Sequence, residues 1–236
     1  MIKYVFWDFN GTILDDRILC WELLNELLKM ENKEEISYEK YLDVFGFPIK
    51  EYYKKAGIEF KHQTFEEMGD YFIRKYQPLS LEQSLYEGVE KTLKTLKEMG
   101  VSNICLSASQ TDNLKEQLRH FKIDKYFTEI LGTDNVLAVG KRDVAKSYIL
   151  ENKIENSECL LVGDTDADYN LAKSLGFVPV LFLNGHQSKN KLEKLDTTTI
   201  NKIEEIIKIV EGKEARKWES FLKILKRLLW EEMFWI

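Results

Sequence analysis

The chain has few cysteines, no long apolar run and no excess of positive charge, and each shortage removes a class of protein. Cys20, Cys105 and Cys159 are the only cysteines in 236 residues. An odd, widely spaced set, with two members inside apolar strand-like runs, provides neither a disulfide framework nor a zinc site and reads as buried reduced thiols. No apolar run reaches the roughly 18 residues needed to span a bilayer. The N-terminus enters its first strand without the basic start, apolar stretch and small-residue cleavage site of a secretory leader. A cytoplasmic protein without a membrane span is the expectation. Lys and Arg number 34 against 40 Asp and Glu, a formal net charge of -6. The lysines are interleaved with glutamates, as on solvated helix faces, so nucleic acid is not the expected partner. His62, His120 and His186 share no spacing with an acid or with one another and read as surface or partly packed residues, with His186, after the last strand, nearest the expected site edge.

With 44% hydrophobic residues, the chain is long enough for one large domain and a small one. After the apolar run Tyr4-Val5-Phe6-Trp7, the stretch from Arg17 to Leu85 is almost wholly helical in pattern. Trp21, Leu24, Leu27 and Leu28, then Tyr71, Phe72 and Tyr76, recur at helical spacing. This stretch is expected to be an inserted helical subdomain. From Gly88 the pattern alternates. Helices are expected over 89–99, 111–121, 142–152 and 168–175, and strands over 101–106, 129–131, 158–162 and 177–183. Continuous apolar strands alternating with amphipathic helices specify an α/β fold with a parallel sheet covered on both faces. Ligands bind such sheets outside the carboxyl ends of the strands. Asp8, Ser107 and Asp164 each follow an apolar run, so three distant residues are expected at one edge.

The segment Asp8-Phe9-Asn10-Gly11-Thr12 sets a carboxylate at the end of a buried strand, followed by a glycine turn and a hydroxyl, which suits nucleophilic attack on a phosphoryl group. Further along, Ile104-Cys105-Leu106 ends in Ser107-Ala108-Ser109, Lys141 follows Gly140 at the start of a helical pattern, and Cys159-Leu160-Leu161-Val162 runs into Gly163-Asp164-Thr165-Asp166-Ala167-Asp168. In these four segments the sequence resembles the haloacid dehalogenase superfamily, whose motifs occur in this order. The resemblance covers roughly residues 2–185. It implies a Rossmann-like core with the first strand central, formed by residues 1–16 and 86–200, and a helical cap over 17–85. Residues 201–236 are left as a C-terminal helical extension.

A carboxylate nucleophile attacking a phosphoryl group needs positive charge beside it. Asp8 and Asp164 supply hard oxygens suited to Mg²⁺, and the resemblance adds the main-chain carbonyl of Asn10. Asp168, four residues after Asp164, reaches the metal or its waters, or else is a helix N-terminal acid favoured by the dipole. Asp166 is a turn or capping residue. Lys141 neutralises charge on nucleophile and phosphate, with Lys146 as the rival assignment. Ser107 donates its hydroxyl to a phosphate oxygen, with Ala108 and Thr12 as further substrate-binding positions; alternatively Ser107, Ser109 or Thr111 caps the next helix.

Asn10 is the departure. In phosphatases of the superfamily an Asp stands there, protonating the leaving alcohol and then activating water, and an amide cannot exchange a proton at neutral pH. The expected activity is Mg²⁺-dependent hydrolysis of a small phosphorylated metabolite through an aspartyl phosphate, attenuated at Asn10. The alternative is a phospho-ligand-binding or scaffold protein of the same fold. Asn10 is open to three explanations: a lineage with another proton carrier, an introduced change, or a binding protein. Gly46-Phe47-Pro48 resembles the cap turn of phosphoglycolate-phosphatase-like members, which makes Gly46 a substrate-side candidate. Lys50, Tyr52, Tyr53 and Lys54 lie within reach of a leaving group or are ordinary cap residues. The loop 184–191 reads as polar and mobile. Residues 213–236 carry an apolar helical stripe, from Trp218 to Leu229, that packs on its own domain or serves a homodimer, partner or membrane-surface contact.

Overall fold

The computed structural model describes residues 1–133 and 140–212, so the stripe expected over 213–236 lies outside the described residues. Tyr4–Trp7 (β1) is the centre of a parallel six-stranded sheet. On one side lie Ser102–Gln110 (β4) and then Glu129–Thr133 (β5). On the other lie Cys159–Gly163 (β6), Val178–Phe182 (β7) and Thr198–Ile200 (β8). Period-two alternation assigns the strand residues to two faces. Val5, Trp7, Cys105, Leu160, Val162 and Val180 belong to one core with helices Val89–Glu98 (α5), Thr111–His120 (α6) and Glu205–Val210 (α10). Phe6, Ile104, Leu106 and Leu161 belong to the other, with Lys141–Glu151 (α7) and Asp166–Leu175 (α8). The polar residue within β4, Asn103, is satisfied there: it accepts from Trp7 Nε1 at 3.0 Å and donates to the Leu93 carbonyl at 2.9 Å.

The sheet extends beyond the sequence expectation. A ninth residue of β4 is reached through a register irregularity between Leu106 and Gln110, which carries the strand past Ser107. β8, the short helix Lys189–Leu192 (α9) and α10 lie beyond residue 183, where the strand pattern ends. Ile203, Ile206 and Val210 are buried in the main core, so the chain up to Val210 packs with the sheet, whereas the sequence reading ends the core at residue 200.

The inserted segment contains Arg17–Met30 (α1), Tyr38–Val44 (α2), Ile49–Ala56 (α3) and Phe65–Ser80 (α4). These helices close over a core of their own, with Leu23, Leu24, Leu27, Leu28, Tyr41 and Met68 nearly inaccessible. They join the sheet domain through a two-stranded antiparallel ribbon, Leu14–Asp15 (β2) with Ser84–Leu85 (β3). No helix among the described residues is long and apolar enough to cross a membrane.

Inside the cap, buried Glu31 ends α1 and gathers the loop before α4. Its carboxylate accepts from the main-chain N–H groups of Lys61 at 2.9 Å, His62 at 2.9 Å and Gln63 at 3.0 Å. Burial works to raise its pKa, but these donors outweigh it and hold the carboxyl below its ordinary 4.5. A lowered folded pKa stabilises the protein above the unfolded value, and that stabilisation is lost as pH falls through the folded one. Glu31→Gln is therefore expected to cost about 1–3 kcal/mol near neutral pH. Urea unfolding across pH should show the gap to the parent protein narrowing below pH 4.5.

Candidate active site

Three strand ends meet at the sheet edge under the cap. Asp8 follows β1, Ser107 lies in the extended end of β4, and Asp164 follows β6. Lys141 is the first residue of α7, and its Nζ donates to Asp8 Oδ1 at 2.7 Å and Asp168 Oδ1 at 2.8 Å. Lys146, the rival, is exposed on α7. Asp168 is the helix N-terminal acid considered for it, and it also pairs with Lys141. Its Oδ2 accepts from Thr165 Oγ1 at 2.6 Å and from the Thr165 N–H at 3.2 Å in a capping box, while Oδ1 holds Lys141. Asp166 opens the same helix and pairs with Lys191 at 3.0 Å.

Asp164 is fully buried, with Oδ1 accepting from Thr12 Oγ1 at 2.9 Å and Oδ2 from the His186 main-chain N–H at 2.6 Å. Two glycines allow this fit. Gly11, at φ +72, and Gly185 both lie so close to the Asp164 carboxyl that a Cβ at either position would collide with it. Asp8, Asp164 and Asp168 each present a carboxylate oxygen, all within 4.8 Å of one another. Three hard oxygens in such proximity suit an oxygen-seeking divalent cation. With only the protein's own charges present, burial and the neighbouring carboxylates push Asp8 up to about 8 and Asp164 up to about 6. Burial works to lower the Lys141 pKa, but Asp168 and Asp8 overcome it and keep the ammonium charged.

A cavity of about 280 Å³ opens over this cluster, lined by Asp8, Asn10, Ser107, Ala108, Lys141, Asp164 and Asp168, with Arg142 at its edge. Seven of the residues singled out in the sequence thus share one space. Thr12 stands behind Asp164. Gly46 lines neither this cavity nor the adjoining one in the cap, although its neighbours Phe45 and Phe47 line both. Ser107 is buried and accepts from the Ser109 N–H at 3.1 Å. The cap of α6 is Gln110, which accepts from the N–H groups of Asp112 at 2.9 Å and Asn113 at 3.0 Å, so none of the three hydroxyls considered for capping is required there.

Asn10 is held from three directions. Its Nδ2 donates to Asp16 Oδ2 at 3.0 Å and to the Tyr76 hydroxyl at 2.5 Å, and its Oδ1 accepts from Ser109 Oγ at 3.0 Å. Asp16, Tyr41 and Tyr76 are the site-edge residues that sequence reasoning passed over, while His186, expected nearest the site edge as a surface or partly packed residue, is buried there. The fully buried Asp16 carboxylate accepts from the Gly11 N–H at 2.9 Å, Tyr76 OH at 2.7 Å and His186 Nε2 at 3.1 Å. Nδ1 of His186 shares a 2.6 Å hydrogen bond with Tyr41 OH, and its ring stacks on Phe45 at 4.6 Å. Burial opposes both charges of this pair, yet their mutual attraction prevails: Asp16 is lowered and His186 raised. The loop expected to be mobile is therefore fixed. Gln187, also buried, donates to the Phe45 carbonyl at 2.8 Å, and the Ser188 N–H donates to the Leu42 carbonyl at 3.0 Å.

Acids and a lysine are thus gathered at the strand ends of a capped parallel sheet. The family model of the haloacid dehalogenase-like hydrolases matches residues 5–182, and the chain belongs to that family. It is 25% identical to a putative pyrophosphatase of Caldanaerobacter subterraneus, over 74% of this chain and 79% of that protein. It is 24% identical to a glyceraldehyde 3-phosphate phosphatase of Methanocaldococcus jannaschii, over 90% and 98% of the two chains. Among solved structures, a predicted phosphatase from Clostridium acetobutylicum shares the fold with a TM-score of 0.74, 22% identity, and coverage of 89% of this chain and 99% of that one.

The Asn10 contacts carry a stability consequence. Asn10→Asp replaces a donor with a carboxylate facing Asp16, and the two acids must share a proton. A carboxyl whose folded pKa is raised binds more protons folded than unfolded, so stability falls as pH rises from its unfolded pKa to its folded one. Asn10→Asp should cost about 1–3 kcal/mol, and urea titrations should find the deficit larger at pH 8 than at pH 5.

Proposed function

We propose that this protein is a Mg²⁺-dependent phosphomonoester hydrolase that uses Asp8 as its nucleophile. The observation that carries this reading is the 2.7 Å contact of Lys141 Nζ with Asp8 at the end of β1, inside a cluster of three carboxylates. The names of the relatives support it, since the putative pyrophosphatase, phosphoglycolate phosphatase and glyceraldehyde 3-phosphate phosphatase share removal of a phosphoryl group.

Asp8, Asp164 and the main-chain carbonyl of Asn10 would hold Mg²⁺, with Asp168 beside them. Bound there, the ion offsets the repulsion between an anionic nucleophile and the phosphate oxygens. Lys141 neutralises the nucleophile and the transferring group together, and Asp168 fixes its position through the second ion pair. Ser107, with Arg142 at the rim, orients the phosphate oxygens. An Asp8 oxygen bonds to phosphorus as the bond to the leaving oxygen breaks, and the leaving oxygen takes the electron pair. Water then attacks phosphorus, the bond to Asp8 breaks, and inorganic phosphate is released.

Asn10 limits both steps. Both hydrogens of its amide are committed to Asp16 and Tyr76, and it has no exchangeable proton for a leaving alkoxide or an attacking water. That commitment is the specific support for a second reading, a protein that binds phospho-ligands with little or no turnover. A panel of phosphorylated compounds, with Mg²⁺ and with EDTA, separates the two. The expected result is phosphate release that requires Mg²⁺ and vanishes in Asp8→Ala; no turnover above that variant would establish the binding reading instead.

The carboxyl introduced by Asn10→Asp, protonated through its contact with Asp16, should restore general acid catalysis. Turnover is expected to rise by up to about 10²–10⁴, with single-turnover kinetics resolving the transfer and hydrolysis steps. An unchanged rate would mean that another group already carries the protons.

A further inference from the structure

A second cavity, of about 170 Å³, lies beneath the cap and adjoins the first: Asn10, Phe45, Phe47, Ala108 and His186 line both. On the phosphatase reading, a phosphate beside Lys141 would direct its leaving group across this shared lining toward the cap cavity. The walls there are aromatic and aliphatic, among them Tyr52, Tyr53, Phe72 and Ile73, and among the described residues no lysine or arginine lines it. Of the cap lysines singled out in the sequence, neither lines it: Lys50 Nζ lies over the rings of Phe60 and Phe65, 5.6 and 5.5 Å from their centroids, and Lys54 pairs with Glu51 at 2.8 Å.

Most polar side chains of the lining already have partners. His186 uses both ring nitrogens, on Asp16 and Tyr41. Asn10 uses its whole amide, Gln110 caps α6, and Gln77 donates to the Asn113 carbonyl at 3.2 Å and to Glu116 at 2.8 Å. An anionic leaving group would lose its hydration in this cavity without gaining a cation. An aromatic ring would exchange water for aromatic walls. Asn10 points to the same class from the side of the chemistry. Without a proton donor at this position, departure is easiest for an oxygen that leaves as a stabilised anion, as a phenolate does and an alkoxide does not.

We propose that the cap cavity is the leaving-group subsite for an uncharged aromatic alcohol, and that the substrates of this protein are aryl phosphomonoesters rather than phosphates bearing a second anion. The proposal rests on the phosphatase reading for turnover, but not for binding. In the reaction the phosphorus–aryl oxygen bond breaks as the bond to Asp8 forms, and the aryloxide takes its proton from water.

The test has a kinetic arm and a binding arm. With Mg²⁺ present, kcat/KM for phenyl phosphate should exceed that for 2-phosphoglycolate and for pyrophosphate by at least ~10-fold. Calorimetry on Asp8→Asn should show phenyl phosphate binding more tightly than either anion by a similar factor. Phe47 is 43% exposed and lies on both cavities, so Phe47→Lys places a cation at the shared mouth at little cost to folding. It should narrow the ratio in favour of 2-phosphoglycolate. Turnover with an anionic compound equal to or ahead of phenyl phosphate, or a ratio unmoved by Phe47→Lys, overturns the subsite while leaving the phosphatase reading intact. Binding that favours phenyl phosphate without any turnover supports the subsite and removes the phosphatase reading. Failure to bind phenyl phosphate removes the subsite regardless of activity.

Discussion

The buried carboxylate of Asp16 is the constraint on which the rest of the site depends. It stands at the start of α1, where the chain leaves the sheet for the cap, and its two oxygens accept from Gly11, Asn10, Tyr76 and His186. Those donors come from three separate segments: the turn after β1, which supplies both Asn10 and Gly11, the last cap helix, and the loop after β7. A full charge removed from water is tolerable only with such a complement of donors. Removing it would strand four polar groups at once, and the turn that aims Asp8 would lose its tie to the cap.

The sheet was legible because buried parallel strands are continuous apolar runs, and Tyr4–Trp7, Ile104–Leu106 and Cys159–Val162 are such runs. The acids and lysine of the larger cavity were legible because each sits next to a strand end or helix start, so local pattern located them. Asp16 left no such trace, and His186, though its place after the last strand put it nearest the site edge, gave no sign of its partner. They are 170 residues apart in sequence, and neither has a neighbour that betrays the pairing. The loop 184–188 misled for a related reason: Asn, Gly, His and Gln form a polar string that normally faces water, and only the cap backbone at Leu42 and Phe45 explains how it is buried. β8 and α10 escaped because three- and six-residue elements are too short for periodicity to register. The tail stripe, legible as a pattern, falls among residues that are not described.

Substituting Asn for an acid is usually pictured as the loss of one proton. Here it is also a gain in electrostatic compatibility, because the amide donates to a carboxylate that a second acid would repel. The same side chain therefore serves architecture, whatever its part in the chemistry. The neighbouring His186–Asp16 pair, internally neutralised and bonded at both ring nitrogens, leaves the inner wall of the cap without an unpaired positive charge.

The ribbon of β2 and β3 brings the two chain crossings side by side, with Leu14 opposite Leu85 and Asp15 opposite Ser84. Everything between them, from Arg17 to Ser80, encloses its own apolar centre. Seen over evolutionary time, such a junction behaves as a socket. A different helical module can be inserted at two adjacent points without disturbing the register of the sheet, provided that it brings partners for Asp16 and for the loop at His186. Under the proposed function, lineages could then exchange the part facing the leaving group while inheriting the cluster at the strand ends.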